Sequence, residues 1–278
     1  VRILRRFIDR IGFDTSFLIF DTSDQKTVVK ECLKALNIDD KTFSDRSVLS
    51  EISNAKNEML TPKEYVVKYA GDYRREKIGQ VYELYQKRLR ENNAIDFDDI
   101  INYTIDILSE NPDVLQYYTE KFKYVLVDEY QDTNKAQFTL VTILASRYGN
   151  ITVVGDNDQG IYSFRGADIS NILNFEKDFP GTKIIKLEQN YRSTKNILNA
   201  ANSVIKNNRE RKDKNLWSNN EEGDKIKYKK VSTEKEEASF VVGEIKDLIS
   251  KGVKEEAIAV LYRTNAQSRT IEEELLKK

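Results

Sequence analysis

Three carboxylates fall within five residues in the segment YVLVDEYQDTN, which spans residues 124–134. Asp128 and Glu129 directly follow four apolar or aromatic residues, and Asp132 comes three residues later. Like charges this close repel each other, and a bound divalent cation would relieve the repulsion. In that interpretation Asp128 orients Mg²⁺ and its waters, while Glu129 positions and deprotonates a water that attacks a nucleotide γ-phosphate. The alternative is an acidic turn in which Asp132 and Thr133 cap the next helix.

Polar segments follow all four of the runs that we predict as strands in the second half of the chain. The runs are YVLV, ITVV, KIIKL and AIAVLY, and the segments after them begin DEYQD, GDNDQ, EQNYR and RTNAQ. The carboxyl ends of parallel strands form the ligand crevice of open α/β sheets. The sequence therefore predicts that these four segments line one site.

The elements that must position these segments change character near residue 121. Before it, apolar residues recur at helical spacing, TPKE at 61–64 has the outline of a capping box, and a long helix follows that Gly71 and Gly79 could interrupt. After it, the β-branched runs KYVLV and NITVV are separated by the helical pattern AQFTLVTILASRY. This alternation is typical of buried parallel strands joined by crossover helices. A further helical pattern lies around 234–250.

Two charged segments allow two interpretations each. AIDFDD at 94–99 could hold a second metal, but Asp96 as the cap of the following helix is the better interpretation. The basic run RERKDK at 209–214 lies in a polar connection over 206–224 and could follow a DNA backbone. Because Asp and Glu interrupt that run, a solvated connection is favoured.

Composition narrows the chemistry that is available to the chain. Lys and Arg number 45 against 46 Asp and Glu, so a net charge of −1 draws it to neither nucleic acid nor membrane, although a local basic stripe could bind DNA. Histidine is absent, which excludes imidazole bases, and Cys32 is the only cysteine, which excludes an internal disulfide. No apolar run approaches the roughly 20 residues that span a bilayer. We therefore expect a cytoplasmic protein without a membrane partner.

Four long segments carry a family resemblance. VDEYQDTN, VGDNDQGIYSFRGAD, LEQNYRST and VLYRTNAQSR resemble, in order and spacing, consecutive motifs of the UvrD/PcrA/Rep family of superfamily-one DNA helicases. The match covers essentially all of 121–278, and the start of the chain and AIDFDD resemble the segments that flank that family's helical insertion. The resemblance implies an ATP-dependent enzyme that uses Mg²⁺ and moves 3′ to 5′ along single-stranded DNA. Its implied partners are single-stranded and duplex DNA, together with repair or replication proteins.

The resemblance also implies a fold and a domain division. The fold is α/β, with incomplete RecA-like P-loop NTPase domains built on parallel sheets and an all-α helical insertion. Residues 1–18 and 92–194 would form the remainder of the first RecA-like domain, and residues 19–91 the helical insertion. Residues 195–278 would begin the second RecA-like domain.

Roles in the nucleotide site follow from the same resemblance, position by position. Asp128 falls on the family's Mg²⁺ aspartate and Glu129 on its catalytic glutamate. Gln159 falls on the glutamine that senses the γ-phosphate and couples it to the DNA groove. Tyr191 falls on the aromatic residue that stacks on adenine, and Arg192 on an arginine finger that reaches across the domain cleft.

DNA contacts are implied at two places. At the first place, the family often has Trp where this chain has Phe164, and the smaller ring of Phe164 still offers a face for stacking. Tyr162 and Phe164 would share one face if the YSFR segment were extended. Core packing of both rings is the alternative. The second is a strand-contacting loop of the second RecA-like domain. The implied DNA-binding residues are Tyr162, Phe164, Arg165, Thr264, Asn265 and Arg269.

Rival interpretations of the same residues stay open. A two-metal nuclease could use Asp128, Asp132 and Asp156 without any nucleotide. A non-catalytic module that resembles a helicase could bind a partner through its helical half. For Arg192, a structural ion pair with Glu188 is the alternative to an arginine finger.

The chain contains no G-x-x-x-x-G-K-[ST] motif, and both of its ends lie in helical patterns without a breaker. We therefore expect a fragment of a longer protein, with the phosphate-binding loop upstream of Val1 and a further phosphate-reading arginine beyond Lys278. Such a fragment would neither bind ATP tightly nor hydrolyse it. Its incomplete sheets would favour self-association.

Overall fold

The fold is known from a computed structural model that describes most of the chain and divides it into two compact units. The first unit comprises Val1–Glu188 and Asn202–Asn215, and the second comprises Gln189–Ala201 and Leu216–Lys278. The chain therefore passes between the units three times. The described residues are 1–208, 212 and 214–277, with only the backbone of Arg165.

Helices make up most of the described residues, and none of them combines the length and the apolar character that a membrane span requires. Short 3₁₀ turns lie between several of them. The α-helices are α1 (Leu4–Phe7), α2 (Thr22–Ala35), α3 (Asp45–Asn57), α4 (Pro62–Lys68), α5 (Tyr73–Glu91), α6 (Phe97–Glu110), α7 (Pro112–Lys121), α8 (Lys135–Ala145), α9 (Ser170–Leu173), α10 (Phe175–Asp178), α11 (Lys195–Ile205), α12 (Glu234–Ser250) and α13 (Asn265–Leu276).

Two separate pairs of parallel strands form the sheets. Strand β1 (Leu18–Ile19) pairs with β2 (Ala94–Ile95), and β3 (Val125–Val127) pairs with β4 (Ile151–Val153). Helix α8 connects β3 to β4, which confirms the predicted strand–helix–strand unit and the α/β class. The prediction of helices alone before residue 121 is wrong at β1 and β2, because strands of two residues carry no alternating pattern.

The β3–β4 pair is less buried than the sequence predicts. Val125 lies opposite Ile151 and Val127 opposite Val153, and these four side chains are partly buried on one face. Leu126 points to the other face and is 76% exposed. Apolar runs of this kind predict burial on both faces. The face that carries Leu126 stays open instead, and no third strand pairs with β3 or β4 among the described residues.

Two other predicted strands are wrong. KIIKL (183–187) and AIAVLY (257–262) form no ladder with any described residue, although Ile258 has extended backbone angles. An extended apolar run becomes a strand only when a neighbour accepts its hydrogen bonds, and Leu187 and Leu261 are exposed. Consequently only two of the four polar segments expected at one crevice, DEYQD and GDNDQ, follow strands.

Local sequence explains where the central helices begin and end. Thr61 caps α4 and accepts a hydrogen bond from the amide of Glu64, whose carboxylate accepts the amide of Thr61, so the predicted capping box is confirmed. Asp96 caps α6 as predicted, through the amide of Asp99. The predicted long helix is interrupted at Gly71, whose φ of 90° is costly for any other residue, but not at Gly79.

Two apolar cores organise the first unit. One lies among α2, α3, α4 and α5 and contains Val29, Leu33, Ile52 and Tyr85. The other lies among α1, α6 and α7, with partly buried residues of α8 packed against it. Helix α8 contacts both this second core and β3.

A buried lysine joins helix α3 to the start of helix α6. The ammonium of Lys56 in α3 lies 2.6 Å from a carboxylate oxygen of Asp96 and 2.7 Å from one of Asp99, and the lysine side chain is 1% exposed. Burial raises the pKa of Asp99 to about 6. Burial alone would also raise the pKa of Asp96, but the charge and hydrogen bond of Lys56 outweigh it and lower that pKa. This lysine fixes the start of α6 against α3.

Candidate active site

The carboxyl ends of β3 and β4 lie side by side, and the carboxylates of the segment YVLVDEYQDTN are found there. The amide of Val154 donates to the carbonyl of Val127 at 2.8 Å, and the amide of Tyr130 donates back to the carbonyl of Val154 at 3.0 Å. Asp128 and Glu129 lie between these two hydrogen bonds, at the surface. The ladder thus extends around both carboxylates and presents them to solvent at the strand tips.

Gln131 bridges the two strand ends, and the sequence does not single it out. Its side chain is buried, its Nε2 donates to Oε2 of Glu129 at 2.8 Å, and its Oε1 accepts the amide of Asp156 at 2.9 Å. The same Nε2 lies 3.5 Å from Oδ2 of Asp132. An amide donor shared by two carboxylates offsets part of their repulsion without a metal. In the sequence, the one sign of this bridging role is that Gln131 is a polar residue between the acidic pair and Asp132.

Glu129 has a backbone conformation that is rare outside glycine. Its φ of 49° and ψ of 43° lie in the left-handed region, which costs about 1 kcal/mol or more for such a residue. Its amide donates to Oδ1 of Asp128 at 2.9 Å, and its carboxylate accepts from Gln131. Strain that is held by such contacts is typical of functional sites.

Gly155 allows the two strand ends to approach. A Cβ atom at this position would lie 2.6 Å from Oε1 of Gln131 and 2.8 Å from Cδ1 of Ile172. It would also lie 3.1 Å from the backbone nitrogen of Tyr130. Real Cβ contacts are essentially never as short as the first two, so only glycine leaves Gln131 in its bridging position.

The segment after β4 holds Gln159 on Asp156. The carboxylate of Asp156 accepts the amide of Asp158 at 2.9 Å and Nε2 of Gln159 at 2.9 Å. A third donor is the ammonium of Lys214. Burial alone would raise the pKa of Asp156, but these donors outweigh it and lower the pKa. Gln159 is exposed, and through Asp156 and Gln131 it belongs to one hydrogen-bonded chain with Glu129.

The aromatic pair that we expect to contact DNA lies on the surface of the first unit. Phe164 is 69% exposed, and its ring centroid lies 6.0 Å from that of Tyr162 at an interplanar angle of 46°. The YSFR segment is not extended, which was the condition for a shared face of the two rings, because Ser163–Arg165 forms a 3₁₀ turn that ends at Gly166. Core packing, the alternative for these rings, does not fit the exposure of Phe164. The side chain of Arg165 lies outside the described residues.

Hydrogen bonds connect the segment after β3 to the turn that carries the aromatic pair. Thr133 accepts the amide of Asp168 at 2.9 Å and Nδ2 of Asn171 at 3.1 Å through its carbonyl oxygen. Asn134, not Asp132 or Thr133, caps α8, so the acidic-turn alternative is wrong about the capping residue. Nδ2 of Asn134 also donates to Oδ1 of Asn57 in α3 at 2.8 Å.

The second unit carries Tyr191 and Arg192 on a short loop. Oδ1 of Asn190 accepts the amides of Arg192 at 3.0 Å and Ser193 at 2.8 Å, which fixes the loop. Tyr191 is 79% exposed, and its hydroxyl donates to Oε1 of Gln189 at 3.0 Å. An aromatic face this open is available for stacking. Arg192 is also exposed.

The remaining predicted DNA contacts lie at the start of α13 in the second unit. Thr264 precedes the helix, and its amide donates to Oε1 of Gln267 at 2.9 Å. Asn265 is the first helical residue, and Arg269 pairs with Glu273 one turn later, with Nε to Oε1 at 3.1 Å. The prediction of a loop here is therefore wrong for Asn265 and Arg269. All three predicted residues are exposed.

The donor set fits Mg²⁺ held jointly with a nucleotide. Mg²⁺ is commonly bound by one or two carboxylates together with substrate phosphates. Exposed Asp128 at a strand tip provides such a carboxylate. Among the described residues, no three Asp, Glu, Cys or His side chains are grouped so that they could hold a metal by themselves.

Comparison with known proteins gives matches over nearly the whole chain. The family described as the UvrD/REP helicase N-terminal domain matches residues 1–180, and the UvrD-like helicase C-terminal domain matches residues 185–278. The chain is 55% identical over 277 residues to the ATP-dependent DNA helicase PcrA of Staphylococcus epidermidis, and 56% identical to that of Staphylococcus aureus. Each alignment covers 100% of this chain but 38% of the relative's length. The chain therefore belongs to the UvrD/Rep helicase family.

Proposed function

We propose that the chain is the part of an ATP-dependent DNA helicase that carries the catalytic carboxylates and several of the DNA-contacting residues. The observation that carries this proposal is the arrangement at the tips of β3 and β4. There Glu129 is strained, exposed and fixed by Gln131, beside the exposed carboxylate of Asp128. Membership of the UvrD/Rep helicase family supports it independently.

Each nucleotide-site residue has a role that its chemistry supports. Asp128 would hold Mg²⁺, which when bound neutralises charge on the β- and γ-phosphates. Glu129 orients a water and accepts its proton, while Gln131 keeps the carboxylate in place. Gln159 senses the γ-phosphate, and Arg192 offers a guanidinium to the charge that develops there. Tyr191 offers its exposed ring to adenine.

DNA contacts belong to two exposed sets of residues. Stacking on an aromatic face tolerates every base, which an enzyme that moves along a strand requires. Tyr162 and Phe164 provide such faces in the first unit. The further contacts are Arg165, Thr264, Asn265 and Arg269. We propose movement 3′ to 5′, on the family resemblance alone.

We further propose the domain division stated from the sequence. Residues 1–18 and 92–194 belong to the first RecA-like P-loop NTPase domain, and residues 19–91 form a helical insertion. The separate apolar core among α2 to α5 supports an insertion with its own packing. Residues 195–278 begin the second RecA-like domain. Because the chain has no phosphate-binding loop, it is inactive as an ATPase in isolation.

The test is an unwinding assay on the full-length protein, meaning this chain joined to the other segments that its relatives contain. We expect ATP hydrolysis that requires Mg²⁺ and is stimulated by single-stranded DNA, and unwinding of duplexes with a 3′ tail but not a 5′ tail. The isolated chain should show neither activity. Cleavage of DNA with Mg²⁺ alone would favour the nuclease, and no ATPase in the full-length protein would favour a non-catalytic module.

A further inference from the structure

Lys214 lies in the charged connection that the sequence assigns to solvent, yet its side chain is only 20% exposed. Its ammonium forms an ion pair with the carboxylate of Asp156 and lies 3.5 Å from Oδ2 of Asp158. The side chains of Lys214, Asp156 and Asp158 are all largely buried. Within the same run, Lys212 instead forms a surface ion pair with Glu176 at 2.7 Å. One lysine of the connection is thus docked at the tip of β4 and the other is not.

Asp156 is the point where Lys214 and Gln159 meet. Its Oδ1 accepts from Lys214 and its Oδ2 accepts Nε2 of Gln159 at 2.9 Å. The two are the side-chain donors that the described structure gives to this carboxylate. A partly buried carboxylate needs such donors, because its charge is costly without them. The strength with which Asp156 holds Gln159 therefore depends on whether Lys214 is in place.

Lys214 also lies next to a passage of the chain between the two units. The chain leaves the first unit after Glu188 and again after Asn215. A hydrogen bond joins these two residues, because the amide of Asn215 donates to Oε1 of Glu188 at 2.9 Å. Lys214 directly precedes Asn215, so it is adjacent in sequence to this passage.

We propose that Lys214 is a positioning residue that couples the passage between the units to Gln159 through Asp156. With Lys214 in place, Asp156 has a second partner and Gln159 can leave it for the nucleotide. Without Lys214, Gln159 is the remaining side-chain donor to Asp156 and is held there. The inference rests on the proposed role of Gln159, and it assigns a function to the basic run that the helicase interpretation otherwise leaves unused.

The test compares two charge-matched variants of the full-length protein, Lys214→Met and Lys212→Met. The measured quantity is the ratio of ATPase kcat with and without single-stranded DNA. We expect Lys214→Met to lower this ratio by about tenfold, with the KM for ATP changed less than about twofold. Lys212→Met removes the same charge from the same connection and should leave the ratio unchanged. Lys214→Arg, which keeps the charge and the donors, should restore it.

A second variant keeps the test decisive if Lys214→Met does not fold. Asp156→Asn removes the carboxylate on which Gln159 would be held, so this variant should not show the loss of about tenfold expected for Lys214→Met. Adding Lys214→Met to Asp156→Asn should then cause no loss, because coupled residues are not additive. Equal ratios for Lys214→Met and Lys212→Met, or an equal loss from Lys214→Met with and without Asp156→Asn, would overturn the inference.

A failure of this inference can be told apart from a failure of the proposed function. Glu129→Gln, assayed in the same way, tests the proposed function by itself. If Glu129→Gln stops turnover while Lys214→Met behaves like Lys212→Met, only the role of Lys214 is wrong. If the unmodified full-length protein shows no DNA-stimulated ATPase, the proposed function is wrong as well.

Discussion

Glu129 shows at the scale of single residues what the sequence can and cannot predict. The acidic pair is visible in the sequence because it directly follows an apolar run. The left-handed backbone of Glu129 and the bridge through Gln131 are not visible in the sequence. The bridge depends on the amide of Asp156, which lies 25 residues after Gln131 along the chain. Residue types can therefore indicate the chemistry, whereas the geometry that supports it depends on how β3 and β4 pair.

The exposed ring of Phe164 is proposed to stack on a base of single-stranded DNA. This ring has no role in the core, so we expect Phe164→Ala to leave the melting temperature unchanged. The same change should weaken the binding of single-stranded DNA by about 1–3 kcal/mol, the usual value of one stacked base. Phe164→Trp should bind as well as the unmodified protein or better. Fluorescence anisotropy with a labelled oligonucleotide measures all three affinities.

A matched control for this prediction is Tyr124→Ala. Tyr124 is 73% exposed, close to the value for Phe164, but it precedes β3 and so lies at the opposite end of that strand from Asp128. Its removal should leave DNA affinity unchanged. Equal weakening by Tyr124→Ala and Phe164→Ala would mean that any exposed aromatic ring has the same effect, and the specific role of Phe164 would be lost.

At the scale of elements, local signals predict helices better than strands. The capping box at Thr61 and the cap at Asp96 use residues three positions apart, so the sequence alone is sufficient to identify them. Strands depend on distant partners: β3 and β4 are confirmed, but the run at 257–262 has the same composition and no ladder among the described residues. Composition indicates the capacity for a strand, and pairing decides the outcome.

Lys56 carries a prediction at this scale. Lys56 lies on the apolar face of α3 with Ile52 and Ala55, and this position in the sequence indicates that its side chain is buried. The sequence does not indicate that Asp96 and Asp99 are its partners. Lys56→Met would leave two buried carboxylates without their cation. We expect a loss of about 3–5 kcal/mol in the free energy of unfolding near neutral pH, from urea denaturation of the full-length protein.

The loss in Lys56→Met should also depend on pH. Without the lysine, burial raises the pKa of both carboxylates above their values in the unfolded chain, so the folded state binds more protons. Stability of the variant then falls as pH rises through these pKa values, and the loss should be smaller at about pH 5 than at about pH 8. Lys87→Met, which removes an exposed ion pair with Glu91, is the control and should change stability little at either pH. A pH-independent loss would contradict the shared-cation interpretation.

At the scale of the whole molecule, the two units differ in how much apolar surface they bury. The first unit has two apolar cores, yet Leu126 and Leu187 in it are exposed. The second unit buries Ala238 and Val242 in α12 and leaves Leu261 exposed. The chain spans 38% of the length of the curated relatives that it matches. Composition could predict the division into units only in part, because the polar connection over 206–224 contains the passage after Asn215 but no composition shift marks the passages after Glu188 and Ala201.

Exposed apolar surface leads to a prediction for the isolated chain. Open sheet faces and edges of this kind promote association. We expect the 278-residue chain to self-associate as its concentration rises. Size-exclusion chromatography with light scattering checks this, and a single monomeric mass over a wide concentration range would contradict it.

The proposed function depends on Glu129 as the base in ATP hydrolysis. Its most direct test is the rate of ATP hydrolysis by Glu129→Gln in the full-length protein, at saturating Mg²⁺-ATP and single-stranded DNA. The amide keeps the shape of the side chain but cannot accept a proton from water, so turnover should fall by about 10²-fold or more while ATP still binds with unchanged affinity. Turnover within about twofold of the unmodified protein would contradict the account.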